Sequence, residues 1–330
     1  MEFLDKLTGK AHRKAIILMY HHYHKPAGRH IKRLSEIAPD FDVVIADNAN
    51  LAIDAAPYAE IIFGNRFMNE CITYAKNLKW IQTTSGGFDQ LPLDKIKERG
   101  AMLSRNTIGS KVIARHAHTM AWALVRQLPQ TFLNQMRRKW STDIKWIPEP
   151  KIALILGFGC IGRELARLLK ADGIKVLGVK KRYGQLSQDI CDKLFTATEP
   201  WREELRDVDM CFLTLPLNQQ TRNILGKKEL EALSNHAIIV NVSRGGILDE
   251  YALVKLLKDG RLGGAGLDVS ELITREGDDA IWGTPNLIIT PHVAAHHFNM
   301  ANNIEEFFEK QLSRYLNNEQ IENLVDLKES

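Results

Sequence analysis

Gly157, Gly159 and Gly162 carry the spacing of a phosphate-binding turn. They follow the apolar run Ile152-Ala-Leu-Ile-Leu156 and precede Leu165, Leu168 and Leu169, which recur at helical spacing. A buried strand that turns through glycines at this spacing into a helix is the dinucleotide fingerprint. The first glycine permits the tight turn, the second lets pyrophosphate approach the backbone, and the third lets helix and strand pack closely. The helix start also offers N–H groups and a positive dipole end to the phosphates. The cradle is therefore predicted at Gly157, Phe158, Gly159, Cys160, Ile161 and Gly162.

About twenty residues past such glycines, an acidic residue normally takes the adenosine ribose 2′-hydroxyl. Here the next strand pattern closes with Lys180, Lys181 and Arg182 instead. An acid would repel a 2′-phosphate, whereas three cations attract it through charge-assisted hydrogen bonds. NADPH is the expected cofactor, ahead of NADH, with a solvated basic turn as the plainer alternative.

Other chemistry-bearing stretches are less specific. Tyr20-His21-His22-Tyr23-His24, with His30 beyond it, has no carboxylate or cysteine completing a metal-ligand pattern, so no metal is expected. It reads as a polar loop, either lining a cleft or solvated. Arg66, in Gly64-Asn65-Arg66, could meet an anionic group or lie on the surface. Ser85, Gly86 and Gly87 could present a nest of N–H groups to a carboxylate.

Several elements must position these residues. Strand patterns at 15–20, 43–46, 60–63, 80–84 and 101–104 alternate with amphipathic segments, which implies a parallel sheet with helices on its faces. Ligands of such sheets sit beyond the carboxyl ends of the strands. A long helix is predicted over 110–128, followed by a basic segment, Met136-Arg-Arg-Lys-Trp140, read as a solvated face. A second α/β unit then carries strands at 151–156, 175–179, 209–215, 237–242 and 287–290. Its helices are predicted at 227–235 and 250–258, and a last helix near 302–316 places Ile304, Phe307, Phe308 and Leu312 on one stripe.

The bulk composition agrees with an α/β protein of two domains, because 330 residues can fill two cores. A net charge of +4 is too small to point to nucleic acid. No apolar run approaches the roughly 20 residues of a membrane span, and the start, Met1-Glu-Phe-Leu-Asp-Lys6, lacks the apolar core of a signal peptide. Cys71, Cys160, Cys191 and Cys211 are scattered without metal or redox spacing, so a reduced, cytoplasmic protein is expected.

From about Leu78 to Ala295 the chain resembles the D-isomer-specific 2-hydroxyacid dehydrogenase family. The resemblance rests on Ser85-Gly-Gly-Phe-Asp89, Gly157-Phe-Gly-Cys-Ile-Gly162 and Leu215-Pro-Leu-Asn-Gln-Gln-Thr221, followed in order by Asn241-Val-Ser-Arg-Gly-Gly-Ile-Leu-Asp-Glu250, Gly266-Leu-Asp-Val269 and Thr290-Pro-His-Val-Ala294. It implies two doubly wound domains: a flavodoxin-like substrate domain at 1–108 and 296–330, interrupted by a Rossmann dinucleotide-binding domain at 109–295. It also implies that Arg244 holds a 2-oxo acid by its carboxylate and carbonyl, with a planar guanidinium suited to both oxygens. His292 would be the acid–base group, which protonates the carbonyl oxygen during reduction. Ser85, Gly86 and Gly87 would hold the carboxylate, while Leu215, Pro216, Thr221, Val242, Ser243, Asp268 and Ala294 would line the cofactor. The expected product is a small D-2-hydroxy acid, and the family is usually a homodimer.

The chain departs from the family at one informative place. Five residues past the Leu-Asp-Val aspartate the family has a glutamate paired with the histidine, and here that position is Ile273. A carboxylate beside an imidazole favours its protonated form. Glu271 is the nearest substitute, Glu276 lies three residues on, and His292 alone is the next possibility. A nucleotide-binding regulator or scaffold on the same fold, with weak or no catalysis, is the rival expectation. Arg115 stands where the family usually has a glutamate.

Overall fold

The computed structural model describes residues 14–20, 25–181, 190–273 and 281–327. The chain divides into two compact units, one running to Gly109 and resuming at His297, the other spanning Ser110–His296.

The first unit is built on β1 (Lys14–Met19), β2 (Phe41–Ile45), β3 (Ala59–Gly64), β4 (Trp80–Gln82) and β5 (Met102–Ser104). All of them pair in parallel, in the order β2-β1-β3-β4-β5. This is the flavodoxin-like order. Along β1, Ala15, Ile17 and Met19 enter one core, and Ile16, Leu18 and Tyr20 enter the other. That alternation in an all-apolar run marks a strand covered on both faces. The covering helices include α1 (Gly28–Ile37), α2 (Ala49–Ala55), α3 (Met68–Cys71) and α4 (Leu93–Glu98).

The second unit opens with α5 (Ser110–Val125) and α6 (Leu128–Met136). The helix predicted over 110–128 runs from Ser110 to Val125, and Gln127, with a left-handed φ of 53°, turns the chain into a second helix that starts at Leu128-Pro129. Proline suits the first turn of the new helix, where its missing N–H costs nothing. The sheet follows: β6 (Ile152–Leu156), β7 (Lys175–Lys180), β8 (Lys193–Thr196), β9 (Met210–Leu213), β10 (Ile238–Asn241), β11 (Gly264–Leu267) and β12 (Leu287–Ile289). Its order, β12-β11-β10-β9-β6-β7-β8, is the Rossmann order extended by a seventh strand. α7 (Cys160–Ala171), α8 (Lys227–Ala232) and α9 (Glu250–Lys258) pack on it. The Asp249 side chain caps α9 by accepting from Ala252 N–H at 3.0 Å. The closing α10 (Met300–Leu316) belongs to the first unit.

Among the described residues, no helix is long and apolar enough to cross a membrane, and no group of His, Cys, Asp and Glu is placed to hold a metal ion. The His21–His24 stretch, Arg182 and Glu276 lie outside the described residues.

Candidate active site

The glycine turn sits where the strand order of the second unit reverses, between β6 and β9. Gly157 has φ +102°, and a Cβ there would lie 2.6 Å from Leu215 N. A Cβ on Gly162 would lie 2.5 Å from Gly157 O. Both positions are glycine for want of room. Gly159 differs, because nothing stands within 4 Å of a Cβ built on it. It is the N-cap of α7, has no side-chain cap, and is followed by a first turn without an acidic residue. Space, amides and dipole thus converge as an anion site requires.

The neighbouring turns are tied to this one. Gly157 and Phe158 N–H both donate to Val179 O at 2.9 Å, so Lys180 and Lys181 follow directly beside the cradle. Thr214 Oγ1 donates to Gly157 O at 2.7 Å, and the Thr221 hydroxyl donates to Pro216 O at 2.6 Å, closing the loop that begins with Leu215.

The ends of β10, β11 and β12 carry the remaining second-unit candidates. Asn241 folds the first of these turns: its Oδ1 accepts from Ser243 N–H and Oγ, and its Nδ2 donates to Arg244 O at 2.8 Å. The half-buried Arg244 guanidinium donates to Ser243 O at 2.8 Å. Asp268 is 2% exposed and reaches both neighbouring strand ends. Its N–H donates to Asn241 O at 2.9 Å, and its carbonyl accepts from His292 N–H at 2.8 Å. Its carboxylate accepts from Thr290 Oγ1 at 2.6 Å, Val293 N–H at 2.9 Å and Ala294 N–H at 3.0 Å. These bonds hold His292 at φ +56°, a conformation rare for a residue with a side chain. The His292 side chain is exposed, and among the described residues its imidazole makes no hydrogen bond or ion pair.

Glu271 and Ile273 take other partners. The Glu271 carboxylate lies 3.2 Å from both terminal nitrogens of Arg222; an added Cβ on Gly246 would meet that carboxylate, and one on Gly245 would meet the Glu271 backbone N and Cγ, within about 3 Å. Ile273 packs on the apolar core around Leu213, Leu253 and Leu267. The turn between them is held by buried Glu250, whose carboxylate accepts from Ser270 Oγ and from Glu271 and Leu272 N–H.

In the first unit, Ser85, Gly86 and Gly87 form a turn after β4, closed by Thr83 Oγ1 on Ser85 O (2.6 Å) and Ser85 Oγ on Gly87 O (3.0 Å). Among the described residues, their N–H groups are not taken by protein acceptors. Arg66 is exposed, its guanidinium 4.7 Å from the centre of the Phe67 ring.

Sequence reasoning gave no role to Asn241, Glu250, Thr290, Arg222 or His116. Asn241 carried a signal, since an asparagine just before a turn often replaces backbone bonding with its own amide. The others act across tens of residues and left none.

A sequence model described as "D-isomer specific 2-hydroxyacid dehydrogenase, NAD binding domain" matches residues 118–294. The chain belongs to that family. A putative 2-hydroxyacid dehydrogenase of Haemophilus influenzae is 30% identical over 263 residues, covering 75% of this chain and 81% of the relative. A glyoxylate reductase of Thermococcus gammatolerans is 26% identical over 275 residues, covering 80% and 81%. Among solved structures, a D-isomer-specific 2-hydroxyacid dehydrogenase family protein of Aeromonas salmonicida superposes with a TM-score of 0.77 at 28% identity, covering 96% of this chain and 99% of the other. As a 2-hydroxyacid dehydrogenase, the protein is an NAD(P)-dependent oxidoreductase. The open space over Gly159, at the uncapped start of α7, fits the pyrophosphate of such a cofactor.

Proposed function

We propose that the protein reduces a small 2-oxo acid to the D-2-hydroxy acid with NADPH in preference to NADH. The observation that carries the reading is the bonding of the Arg244 and His292 turns to one residue pair, Asn241 and Asp268, at adjacent strand ends. Arg244 would take the substrate carboxylate and carbonyl oxygen in its fork, fixing the carbonyl and polarising it. A nicotinamide cofactor, when bound, would supply the hydride that reduces the carbonyl. As the carbon–oxygen π pair moves to oxygen, His292 donates the proton that completes the alcohol. The N–H groups of Ser85, Gly86 and Gly87 are assigned to the carboxylate, and Arg66 to a second anionic group on the substrate. Lys180, Lys181 and Arg182 are assigned to the 2′-phosphate, and Leu215, Pro216, Thr221, Val242, Ser243, Asp268 and Ala294 to the rest of the cofactor.

With Glu271 bound to Arg222, His292 is proposed to act without a carboxylate on its ring. The test is oxidation of NADPH and NADH with glyoxylate, hydroxypyruvate, pyruvate and phenylpyruvate from pH 5 to 8. Faster turnover with NADPH and a rate rising toward acid are expected. Tight NADPH binding without turnover would favour the regulatory alternative. His292→Gln should lower kcat by about 10² to 10⁴.

The chain is further proposed to form a homodimer through α6 and the segment after it. Phe132, Met136, Trp140 and Trp146 are more than half exposed along that stretch, and water does not favour so many large apolar side chains in solvent. Light scattering should give twice the chain mass, and Met136→Asp with Phe132→Asp should reduce it to one.

A further inference from the structure

The geometry points to His116 as a positioning residue for the proposed reduction, acting on His292 through Thr290 and Asp268. The inference rests on the reading of His292 as the proton donor.

Its origin is a packing feature. Gly264 and Gly266 lie in β11, and Cβ atoms on them would stand 3.0 Å from Leu124 Cδ2 and 2.9 Å from Met120 Cε. The absent side chains let α5 settle closely on the strand. His116, Met120 and Leu124 are spaced four apart, on one face of that helix. The same close approach therefore carries His116 over the ends of β11 and β12, where its Nε2 lies 3.1 Å from Thr290 Oγ1 and 3.8 Å from Asp268 Oδ1.

The direction of the bonds follows from counting protons. A carboxylate only accepts, so the single Thr290 hydroxyl proton goes to Asp268 Oδ1, 2.6 Å away. Thr290 Oγ1 must then accept from His116, which requires a proton on Nε2. One tautomer of the neutral ring and the imidazolium both meet that requirement. The carboxylate so fixed takes the N–H groups of Val293 and Ala294, and the Asp268 carbonyl takes that of His292. Three successive peptide groups around the proton donor are thus set by one aspartate, with His116 bracing it from the helix. His116 is a quarter exposed and Asp268 almost fully buried, so the brace is shielded from competition by water.

The test compares His116→Ala, His116→Gln and Thr290→Val with the parent protein. His116→Ala should lower kcat about tenfold, with less than a twofold change in NADPH Kd or 2-oxo acid KM. Glutamine keeps an N–H donor and should restore most of the loss without altering the shape of the pH profile. Thr290→Val should match His116→Ala, and combining the two should add little, as expected for one chain of contacts. Amide exchange over residues 290–296 should quicken in His116→Ala and Thr290→Val. This readout needs no turnover, so it decides the brace even if the parent reduces none of the acids tried, a result that would sink only the functional reading. A kcat within twofold of the parent, a loss confined to NADPH binding, or unchanged exchange would each overturn the inference.

Discussion

The two units place a helix start beside the point where their strand order reverses, and they treat it in opposite ways. In the second unit, α7 begins at Gly159 with open space before it. In the first, the N-cap amide of α1, Ala27 N–H, donates to Glu305 Oε1 at 3.0 Å, and that glutamate is 1% exposed. One turn further along α10, Glu309 Oε1 meets His30 Nδ1 at 2.7 Å, with the His30 side chain fully buried. Burial, then the charges of Glu305 and Glu309, push the Tyr20 hydroxyl far above its ordinary range, so it stays protonated beside them. A helix start attracts an anion wherever it lies. The first unit meets that demand with its own carboxylates, and in the second no side chain caps the start of α7. Fold alone therefore does not distinguish the two reversal points; the side chains at the helix start do.

What the two reversal points share is their need for glycine. Gly64 has φ +110°, and a Cβ there would lie 1.9 Å from Met19 O, tighter than the 2.6 Å contact at Gly157. Gly64→Ala and Gly157→Ala should each cost about 3 kcal/mol or more in urea unfolding, through backbone clash and an unfavourable φ together. A loss below about 1 kcal/mol at either site would show that the strand ends can separate, and the parallel would fail.

Gly159→Ala separates the two helix starts. The added methyl meets no protein atom within 4 Å, so the melting temperature should hold within about 2 °C while NADPH Kd rises tenfold or more. Unchanged affinity would mean that the space before α7 is not where the pyrophosphate lies. Glu305→Gln is the complementary change. Neutralising the internal anion should destabilise the protein by about 1–2 kcal/mol and leave NADPH affinity alone. If Glu305→Gln weakened cofactor binding instead, the carboxylate would have a role outside the first unit.

The same contrast explains what the sequence disclosed. The glycine turn was legible because it is a matter of backbone geometry, enforced by steric limits at Gly157 and Gly162 that leave no room for a side chain. Most strands were legible because apolar runs such as Ile152–Leu156 are covered on both faces. β8 was not, since Lys193-Leu-Phe-Thr196 is short and partly exposed at the sheet edge. β11 was hidden by its glycines, which make room for α5. Glu305 and Glu250 were equally silent, because a buried carboxylate reads as a surface one until the fold supplies its partner.

Glu271 is the case where sequence distance and bonded distance part company. Lying two residues before Ile273, it is the nearest carboxylate to the family's glutamate position. Its hydrogen bonds, however, run to Arg222, across the glycines that follow Arg244. Both partners are about half exposed, and such a pair contributes between 0 and about 1 kcal/mol. Glu271→Gln should therefore change stability by less than 1 kcal/mol and leave the pH dependence of kcat in place. Any effect should fall on 2-oxo acid KM, by about two- to threefold, because the bond lies against the Arg244 turn. A kcat profile displaced along the pH axis would show that Glu271 reaches the imidazole during turnover, and His292 would then have its carboxylate after all.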